Sequence, residues 1–472
     1  MLRFHSRRKP KTSSCYTISS VKIINGRAAP NKDSPFQRIV RMNLVSAAEA
    51  VKLIKSGDSV YIQGSTSIPE VLVQAMTDRA PELRDVKVYT AFAIGRFDAP
   101  YATAELRDSF EPLSFFVANN LRNAINSGVA QTIPAFLGEI PFLFRSGQVP
   151  LDVTLLNVSE PDEEGYCSYG VSADLAFSAV ECSKVVIAQV NKYMPRTFGD
   201  PVIHVSKIDA MVRGDEPLVE VPTVVPNAVE RAIGNYIAGE IPDGATLQIG
   251  VGGIPNAVLD ALQGHKHLGL HTEAMTDGVV PLIQKGIIDN SLKKIYPGKS
   301  VACLCLGSQR LYDYLDGNRD VVIRDVAWTN DPQNIRQNPK VMAVNSAIEV
   351  DLTGQICADS IGERIFSGVG GQHDFMYGGA LSEGGKCFIA LPSITSKGQS
   401  KIVPTLTKGA GVVTTRFQAQ YIATEHGIVY LRNKSLAQRA KLLISVADPS
   451  VREDLERAAV ERFGIGFLRC KI

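Results

Sequence analysis

Short runs of apolar residues recur along the chain, and their length is typical of buried strands rather than of helices. The clearest of these predicted strands are Val60–Gln63, Val86–Thr90, Leu247–Gly250, Val301–Leu306 and Phe388–Leu391. Helical stretches separate several of them. This pattern predicts an α/β fold, in which largely parallel sheets are covered by helices.

Two long segments of the chain resemble each other. Gly57–Met76 reads GDSVYIQGSTSIPEVLVQAM, and Asp243–Leu262 reads DGATLQIGVGGIPNAVLDAL. The glycines that follow the two predicted strands, Gly64 and Gly250, are 186 positions apart, and so are the prolines that come after them. Each segment predicts a strand, a glycine-bearing turn and a helix that opens with proline, a residue that suits the first helical position.

Further matches follow in the same order along the chain. Leu113–Ala118 resembles Lys299–Leu304, Glu160–Cys167 resembles Glu349–Cys357, and Lys184–Val190 resembles Lys386–Pro392. The spacing between matched segments drifts, as insertions in loops would cause. The sequence therefore predicts two related halves, each with its own sheet. The proline-rich stretch 214–226 marks the boundary, so we expect domains over residues 43–224 and 225–472.

Residues 1–42 differ in composition from the rest, with ten lysines and arginines and one acidic residue, Asp33. This composition is typical of a mitochondrial transit segment. The alternative is a disordered basic tail. We expect a mitochondrial matrix location and exclude this segment from the predicted fold.

The remainder carries 40 basic and 47 acidic residues, and the whole chain has one tryptophan. Neither its charge nor its few aromatic residues favour nucleic-acid binding. No apolar run approaches the length of a membrane-spanning helix. The eight cysteines are scattered, which indicates a reducing compartment rather than a disulfide framework. Cys303 and Cys305 are interpreted as small core residues.

The turn from Gly250 through Val251, Gly252 and Gly253 to Ile254 is the first candidate site. Closely spaced glycines let a ligand approach the backbone and leave N–H groups pointing at it, and a helix N-terminus favours negative charge. The turn matches neither the dinucleotide motif nor the P-loop. It is either a cradle for an anion or oxyanion, or only a tight turn from strand to helix.

Glu273 is the second candidate, because an apolar strand ends at Leu270 and places His271, Thr272 and Glu273 at its carboxyl end. In the first half, Thr90 matches Thr272. Ala91 therefore matches Glu273, which predicts a carboxylate in one half only. The alternative is a surface glutamate in a loop.

The segment Phe366–Phe375, FSGVGGQHDF, is a second glycine cluster that could present N–H groups from the other side of a site. The alternative is a flexible connection. His265, His267 and His271 form a possible metal-binding pattern, but no second cluster of ligands supports a metal.

Together these residues resemble the class I coenzyme A transferases, in the acetyl-CoA hydrolase and 4-hydroxybutyrate CoA-transferase branch. The resemblance covers about residues 43–465. Its motifs are GSTSIP at 64–69, EPDEEGYCSYGVSADLA at 160–176, IGVGGIPNAV at 249–258, GLHTE at 269–273, SGVGGQHDF at 367–375 and IALPS at 389–393. It implies two α/β domains of the CoA-transferase (NagB/RpiA-like) type, with the active site between them.

The resemblance also implies roles for single residues. Glu273 would attack an acyl-CoA to form an anhydride and then a glutamyl–CoA thioester. The first glycine turn, together with Gly370 and Gly371, would supply CoA and oxyanion contacts. A lysine near the CoA phosphates would match Lys397 or Lys401.

The expected function is transfer of CoA between acyl-CoA and small carboxylic acids, of the acetyl-CoA/succinate or 4-hydroxybutyrate type. CoA would be a substrate, with no permanently bound cofactor, no nucleic-acid partner and no membrane. The resemblance suggests a homodimer or larger homo-oligomer. The alternatives are an acetyl-CoA hydrolase that uses the same glutamate and a non-catalytic CoA-binding protein.

Overall fold

A seven-stranded, wholly parallel sheet forms the first half of the chain. It belongs to a computed structural model that describes residues 44–471. In sheet order, the strands are Ala210–Arg213, Val185–Val190, Val153–Val158, Ser59–Ile62, Val86–Ala91, Phe110–Phe116 and Gln131–Thr132. All neighbouring pairs run parallel, as predicted.

The second half contains a six-stranded sheet in the order Gly269–Leu270, Thr246–Ile249, Val341–Ser346, Lys386–Ala390, Tyr421–Thr424 and Gly427–Tyr430. Only the last pair is antiparallel. At the edge formed by Gly269–Leu270, a parallel bridge between His271 and Val301 joins this sheet to a three-stranded sheet. The strands of that sheet are Ser300–Ala302, Val321–Ile323 and Phe198–Gly199. The strand Phe198–Gly199 comes from the first half of the chain.

The two halves share one strand order, which confirms the predicted internal repeat. In each half, the first strand of the main sheet lies in the middle. In the first half, three later strands lie on each side of it. In the second half, counting the sheet joined through His271, three strands from that half lie on one side and three parallel strands on the other, where the antiparallel strand Gly427–Tyr430 is added without a counterpart in the first half. The strands Lys184–Val190 and Lys386–Pro392 were matched by sequence, and their structural counterparts occupy the same place in the two sheets.

Helices pack around both sheets. In the first half they are Ala47–Ala50, Glu70–Asp78, Asn119–Asn126, Ile140–Arg145 and Ala176–Cys182. In the second half they are Ala228–Glu240, Gly253–Ala261, Val280–Gln284, Gln309–Leu315, Val326–Thr329, Pro332–Ile335, Gln372–Leu381, Leu436–Ser445, Arg452–Phe463 and Ile465–Arg469. None of the helices in the described part of the chain is long and apolar enough to span a bilayer.

The prediction that proline opens the helix after each glycine turn was wrong in detail. Pro69 is the N-cap residue, and the helix begins at Glu70. Pro255 is the third residue of the helix Gly253–Ala261, whose N-cap is Gly252. In both halves proline lies at the start of the helix, as the N-cap or within the first turn, where the missing N–H has no intrahelical partner.

Shorter strands connect the main layers. They pair as Tyr166–Ser168 with Val202–His204, Ala274–Thr276 with Leu304–Leu306, Glu349–Asp351 with Ile356–Cys357 and Ile402–Val403, and Ser360–Ile361 with Arg364–Ile365. The largest apolar core includes Tyr61 and Phe144 from the first half and Leu247 and Leu304 from the second. The halves therefore share one core, and residues 214–227 link the last strand of the first sheet to the helix Ala228–Glu240.

Candidate active site

A cavity of about 430 Å³ lies between the two halves, and Glu273 is in its wall. Gly250 and Val251 of the first glycine turn also line it, as do Gly370 and Gly371 of the second cluster. The first half contributes an apolar wall of Phe92, Phe116 and Leu137, together with the acid Asp174. The structure thus brings together the predicted glutamate and parts of both predicted glycine clusters.

Glu273 is held in place by a break in a strand. Residues 301–306 were predicted to form one strand, but Ser300–Ala302 pairs with Val321–Ile323, whereas Leu304–Leu306 pairs with Ala274–Thr276. The Cys303 and Leu304 N–H groups both donate to the Glu273 carbonyl, at 3.0 and 3.1 Å. By accepting both hydrogen bonds, the Glu273 carbonyl fixes the backbone of the glutamate beside Cys303, where residues 300–306 change from one partner strand to the other.

The side chain on the preceding residue ties Glu273 to the first glycine turn. The Thr272 hydroxyl donates to the Ile249 carbonyl at 3.2 Å, and Thr272 is 1% exposed. Ile249 is the last residue of the strand that leads into Gly250. The glycine turn and the glutamate therefore stand at the same carboxyl edge of the sheet, where such folds place ligands.

The Glu273 carboxylate is partly buried and hydrogen-bonded. Its Oε2 accepts a hydrogen bond from the Asn330 amide at 3.0 Å, and the Gly371 N–H also donates to the carboxylate. Burial raises the pKa of Glu273 to about 7, and the nearby Asp174 adds to this, whereas the two donors lower it. A glutamate with a pKa near neutrality in a cavity is a candidate for chemistry.

Gly371 fits against this carboxylate because it has no side chain. A Cβ at Gly371 would stand 1.8 Å from Glu273 Oε2 and 2.3 Å from the Asn330 amide nitrogen. Gly370 has φ +58°, a left-handed conformation that favours glycine, and it also faces Glu273 and Phe116. The second glycine cluster is therefore a close backbone approach to the glutamate, rather than the alternative of a flexible connection.

The first glycine turn is only partly at the cavity. Gly250 and Val251 line it, and Gly252 has φ +128° and caps the next helix. A Cβ at Gly253 would collide with the Glu230 carboxylate, and the Ile254 side chain is buried. The first N–H groups of this helix have no intrahelical acceptors, so the turn retains the donors that an anion requires.

The lysine assignments find no support in the geometry. Lys397 lies in an exposed turn and does not line the cavity. The Lys401 ammonium donates to the Ala347 carbonyl at 3.2 Å, and this residue is also outside the lining. The charged residues that line the cavity, within the part of the chain that is described, are the acids Asp174 and Glu273.

The backbone directions of the two strands agree with the predicted match of Thr90 to Thr272. The Val86 N–H donates to the Ser109 carbonyl, so alternation along the strand turns the Thr90 N–H toward the strand Phe110–Phe116. The Thr272 N–H likewise donates to the Val301 carbonyl of the corresponding strand in the second half. Ala91 therefore stands at the position of Glu273, and the predicted asymmetry holds, because the first half has a methyl group where the second has a carboxylate.

The three histidines of the possible metal pattern diverge. His271 is buried and its Nε2 contacts the Thr329 carbonyl, His265 contacts the Ile241 carbonyl, and His267 pairs with Asp289. No group of three potential metal ligands occurs within residues 44–471. Cys303 and Cys305 are buried in the core, as expected.

Three polar residues at or near the glutamate were not found as site residues from the sequence. Asn330 contacts the Glu273 carboxylate, Asp374 contacts Asn330, and Asp174 lines the cavity. Asp174 and Asp374 lie inside motifs that were singled out, but no spacing rule marks Asn330 as a partner of Glu273.

Comparison with known proteins places these features in a family. Residues 31–224 match the acetyl-CoA hydrolase/transferase N-terminal domain, and residues 307–459 match the corresponding C-terminal domain. Glu273 lies between the two matched regions.

Individual relatives cover most of the chain. A succinyl-CoA:acetate/propanoyl-CoA:succinate CoA transferase from Fasciola hepatica is 44% identical, covering 88% of this chain and 87% of that protein. A 4-hydroxybutyrate coenzyme A transferase from Clostridium kluyveri is 42% identical, covering 91% of this chain and all of that protein. Proteins named acetyl-CoA hydrolase are more distant, at 24% identity for the one from Candida albicans.

A solved structure confirms the two-domain α/β architecture. The 4-hydroxybutyrate CoA-transferase of Porphyromonas gingivalis aligns with a TM-score of 0.78 at 38% identity, covering 91% of this chain and 100% of that one. From the fold, the site and these relatives, we conclude that the chain belongs to the acetyl-CoA hydrolase/transferase family and is an enzyme that transfers coenzyme A.

Proposed function

We propose that this enzyme transfers CoA from an acyl-CoA to a small carboxylic acid through a thioester on Glu273. The observation that carries the proposal is the position of this carboxylate, which lines the cavity between the halves with backbone glycines on two sides. A carboxylate is a weak nucleophile, but it becomes effective when it is held against the carbonyl that it attacks.

The exchange balances without an outside reagent. A Glu273 oxygen attacks the acyl-CoA carbonyl, the C–S bond breaks, and CoA leaves as a thiolate, which gives a mixed anhydride. The thiolate then attacks the Glu273 carbonyl carbon of the anhydride and releases the first acid as its carboxylate. An acceptor carboxylate attacks the resulting glutamyl–CoA thioester, and the same two steps in reverse give the new acyl-CoA and free Glu273.

The glycine backbones fit the electrostatic demand of these steps. Each attack places negative charge on a carbonyl oxygen, and one well-placed N–H donor contributes roughly 3–4 kcal/mol to such a transition state. The Gly371 N–H already faces Glu273, and Gly250 and Val251 line the cavity on the side of the first turn. The apolar wall of Phe92, Phe116 and Leu137 limits the access of water, which would hydrolyse the intermediates.

The proposed acids are acetate and succinate, or 4-hydroxybutyrate, in keeping with the names of the relatives from Fasciola hepatica and Clostridium kluyveri. Since the charged residues that line the described cavity are acidic, the second carboxylate of succinate would rely on neutral donors. Gln248, Asn345 and Gln372 line the cavity and can supply them.

We further propose a mitochondrial location and a homodimeric or larger assembly. The basic composition of residues 1–42 supports the location, and this segment lies outside the residues that the structure describes. Deleting it should leave a fluorescently tagged chain in the cytosol, whereas continued import would contradict the proposal. Light scattering of the purified enzyme tests the assembly, and a monomeric mass would contradict it.

Trapping the intermediate tests the role of Glu273. The enzyme is mixed with acetyl-CoA, reduced with borohydride and digested, and its peptides are weighed by mass spectrometry. We expect the Glu273 peptide to carry the alcohol formed by reduction of a thioester. Glu273→Gln should lose this product, and Glu164→Gln, which alters an exposed glutamate, should retain it. An unmodified Glu273 peptide from an enzyme that turns over would refute the proposal.

Hydrolysis by the same glutamate is the alternative outcome. CoA release from acetyl-CoA is measured with and without succinate. We expect formation of succinyl-CoA and little net release of CoA. A rate of CoA release that ignores the acceptor would identify a hydrolase instead.

A further inference from the structure

A second buried carboxylate stands behind the proposed nucleophile. Asp374 lies in the first turn of the helix Gln372–Leu381 and is 5% exposed. Its Oδ2 accepts hydrogen bonds from the Asn330 amide at 3.1 Å and from the Gly138 N–H at 3.2 Å. Gly138 belongs to the first half of the chain, so this carboxylate also joins the two halves beside the site.

Asn330 is shared between the two carboxylates. Its Nδ2 lies 3.0 Å from Glu273 Oε2 and 3.1 Å from Asp374 Oδ2. An amide nitrogen carries two hydrogens, so each carboxylate receives one of them. Asn330 is 1% exposed, and its Oδ1 has no partner among the described residues. Reversing the amide would turn an oxygen toward both carboxylates, so the pair fixes its direction.

The charges around this pair are all of one sign. Glu139 faces Asp374, Asp174 faces Glu273, and the two carboxylates repel each other. Asp174 in turn faces Asp325, whose partner is Arg145. Of the neighbouring neutral groups, Cys303 borders Glu273, and the His373 ring stacks on Phe136.

The pair of Glu273 and Asp374 is therefore more stable with one bound proton than with none. In residues 44–471, no ion pair joins a lysine, arginine or histidine to Glu273 or Asp374. Two negative charges on one amide group would repel each other with no cation among the described residues to compensate them, as in other carboxylate pairs that retain a proton. Burial and mutual repulsion raise the pKa of Asp374 to about 7, the same value as for Glu273.

We propose that Asp374 is a positioning residue for Glu273. It orients the Asn330 amide and holds the proton of the pair while Glu273 is ionised and attacks. This inference rests on the proposed role of Glu273. When Glu273 becomes the neutral glutamyl–CoA thioester, the released carboxylate carries the negative charge away from the site. Asp374 then loses its repelling neighbour and gives up its proton to solvent.

The pH dependence of kcat/KM for acetyl-CoA tests this role with Asp374→Asn. The wild-type profile should show two ionisation steps, because a coupled pair loses its protons in two macroscopic steps. The variant should show one step, with a midpoint lower by about one pH unit because the like charge is gone. Asp260→Asn, which removes an exposed carboxylate on the helix Gly253–Ala261, should keep the wild-type profile.

A residue with only a structural role would lower the rate equally at every pH and leave two steps, and this result would overturn the inference. A measurement on the wild-type enzyme covers the case in which the variant does not fold. Mixing with acetyl-CoA at pH 7 without an acceptor should release protons as the thioester forms, detected with an indicator dye. Thioester formation without proton release would also overturn the inference.

Trapping at Glu273 is run beside both measurements and separates the two proposals. A trapped thioester with an unchanged profile refutes the role of Asp374 alone. Absence of the thioester in an active wild-type enzyme refutes the proposed function itself.

Discussion

Gly371→Ala tests the close approach between the second glycine cluster and Glu273. Gly371 has φ −94° and ψ 9°, a bridge-region conformation with negative φ that is open to alanine as well as to glycine. The added methyl group would nevertheless stand 1.8 Å from Glu273 Oε2, whereas real Cβ atoms keep about 3.0 Å from their neighbours. The carboxylate or the glycine backbone must therefore move by more than about 1 Å.

The size of the effect follows from this displacement. Misplacing a reacting group by about 1 Å can cost on the order of 100-fold in rate, or about 3 kcal/mol in the barrier. We expect kcat/KM for CoA transfer to fall by at least that factor. Gly239→Ala is the matched control, because a Cβ at this helical glycine meets nothing within 4 Å. It should keep full activity and stabilise the fold by roughly 0.5–1 kcal/mol.

The assay follows succinyl-CoA formed from acetyl-CoA and succinate, and circular dichroism with urea unfolding verifies that both variants fold. Activity of Gly371→Ala within threefold of wild type, in a folded protein, would refute the packing argument. Equal losses in the two variants would show that the assay reports general disturbance rather than the contact with Glu273.

Three further substitutions probe other parts of the site. Glu273→Gln should abolish transfer and, because burial raises the pKa of this carboxyl from 4.5 to about 7, should raise the free energy of unfolding at pH 8 by up to about 3 kcal/mol. This gain should shrink toward pH 5, where the folded wild type keeps its proton, and a gain independent of pH in urea unfolding would contradict the burial argument. Lys293→Met leaves the Leu270 and Lys299 carbonyls without their shared donor. It should cost about 3 kcal/mol in urea unfolding, and a loss below about 1 kcal/mol would contradict this. Gly253→Ala forces the Glu230 carboxylate out of its capping box with Asn227. This variant should cost about 1 kcal/mol of stability and should lower kcat/KM less than Gly371→Ala does. A larger loss of activity than that of Gly371→Ala would show that the first glycine turn contributes to the reaction itself, not only to stability.

Much of the fold was predictable because it depends on local patterns. The apolar runs gave the central strands to within about two residues, and the spacing of Gly64 and Gly250 revealed the duplication. Glu273 stood out for the same reason, since it lies three residues after the strand Gly269–Leu270. The two glycine clusters were informative because close backbone approach requires glycine, as at Gly371.

The remaining features depend on contacts between distant parts of the chain. Asn330 and Asp374 meet Glu273 only when three separate elements are packed together, and their neighbours in sequence give no sign of it. Support for the match of Ala91 to Glu273 required the hydrogen-bonding sides of the strands, because a similarity based on one threonine does not by itself exclude a shift of one residue. The break at Cys303 depends on where the Glu273 carbonyl lies, so a continuous apolar run concealed it.

The strand Phe198–Gly199 has a consequence for how this duplicated protein can be divided. It pairs with Val322 and Ile323 and closes the outer margin of the second half's layer, and Gly199 packs so tightly there that a Cβ would overlap the Ile323 carbonyl. A fragment beginning at residue 225 would lack this strand and present bare hydrogen-bonding groups to other molecules, which promotes aggregation. We therefore expect the two repeats to unfold as one cooperative unit, and the two pieces obtained by splitting the gene at the linker to need each other to stay soluble.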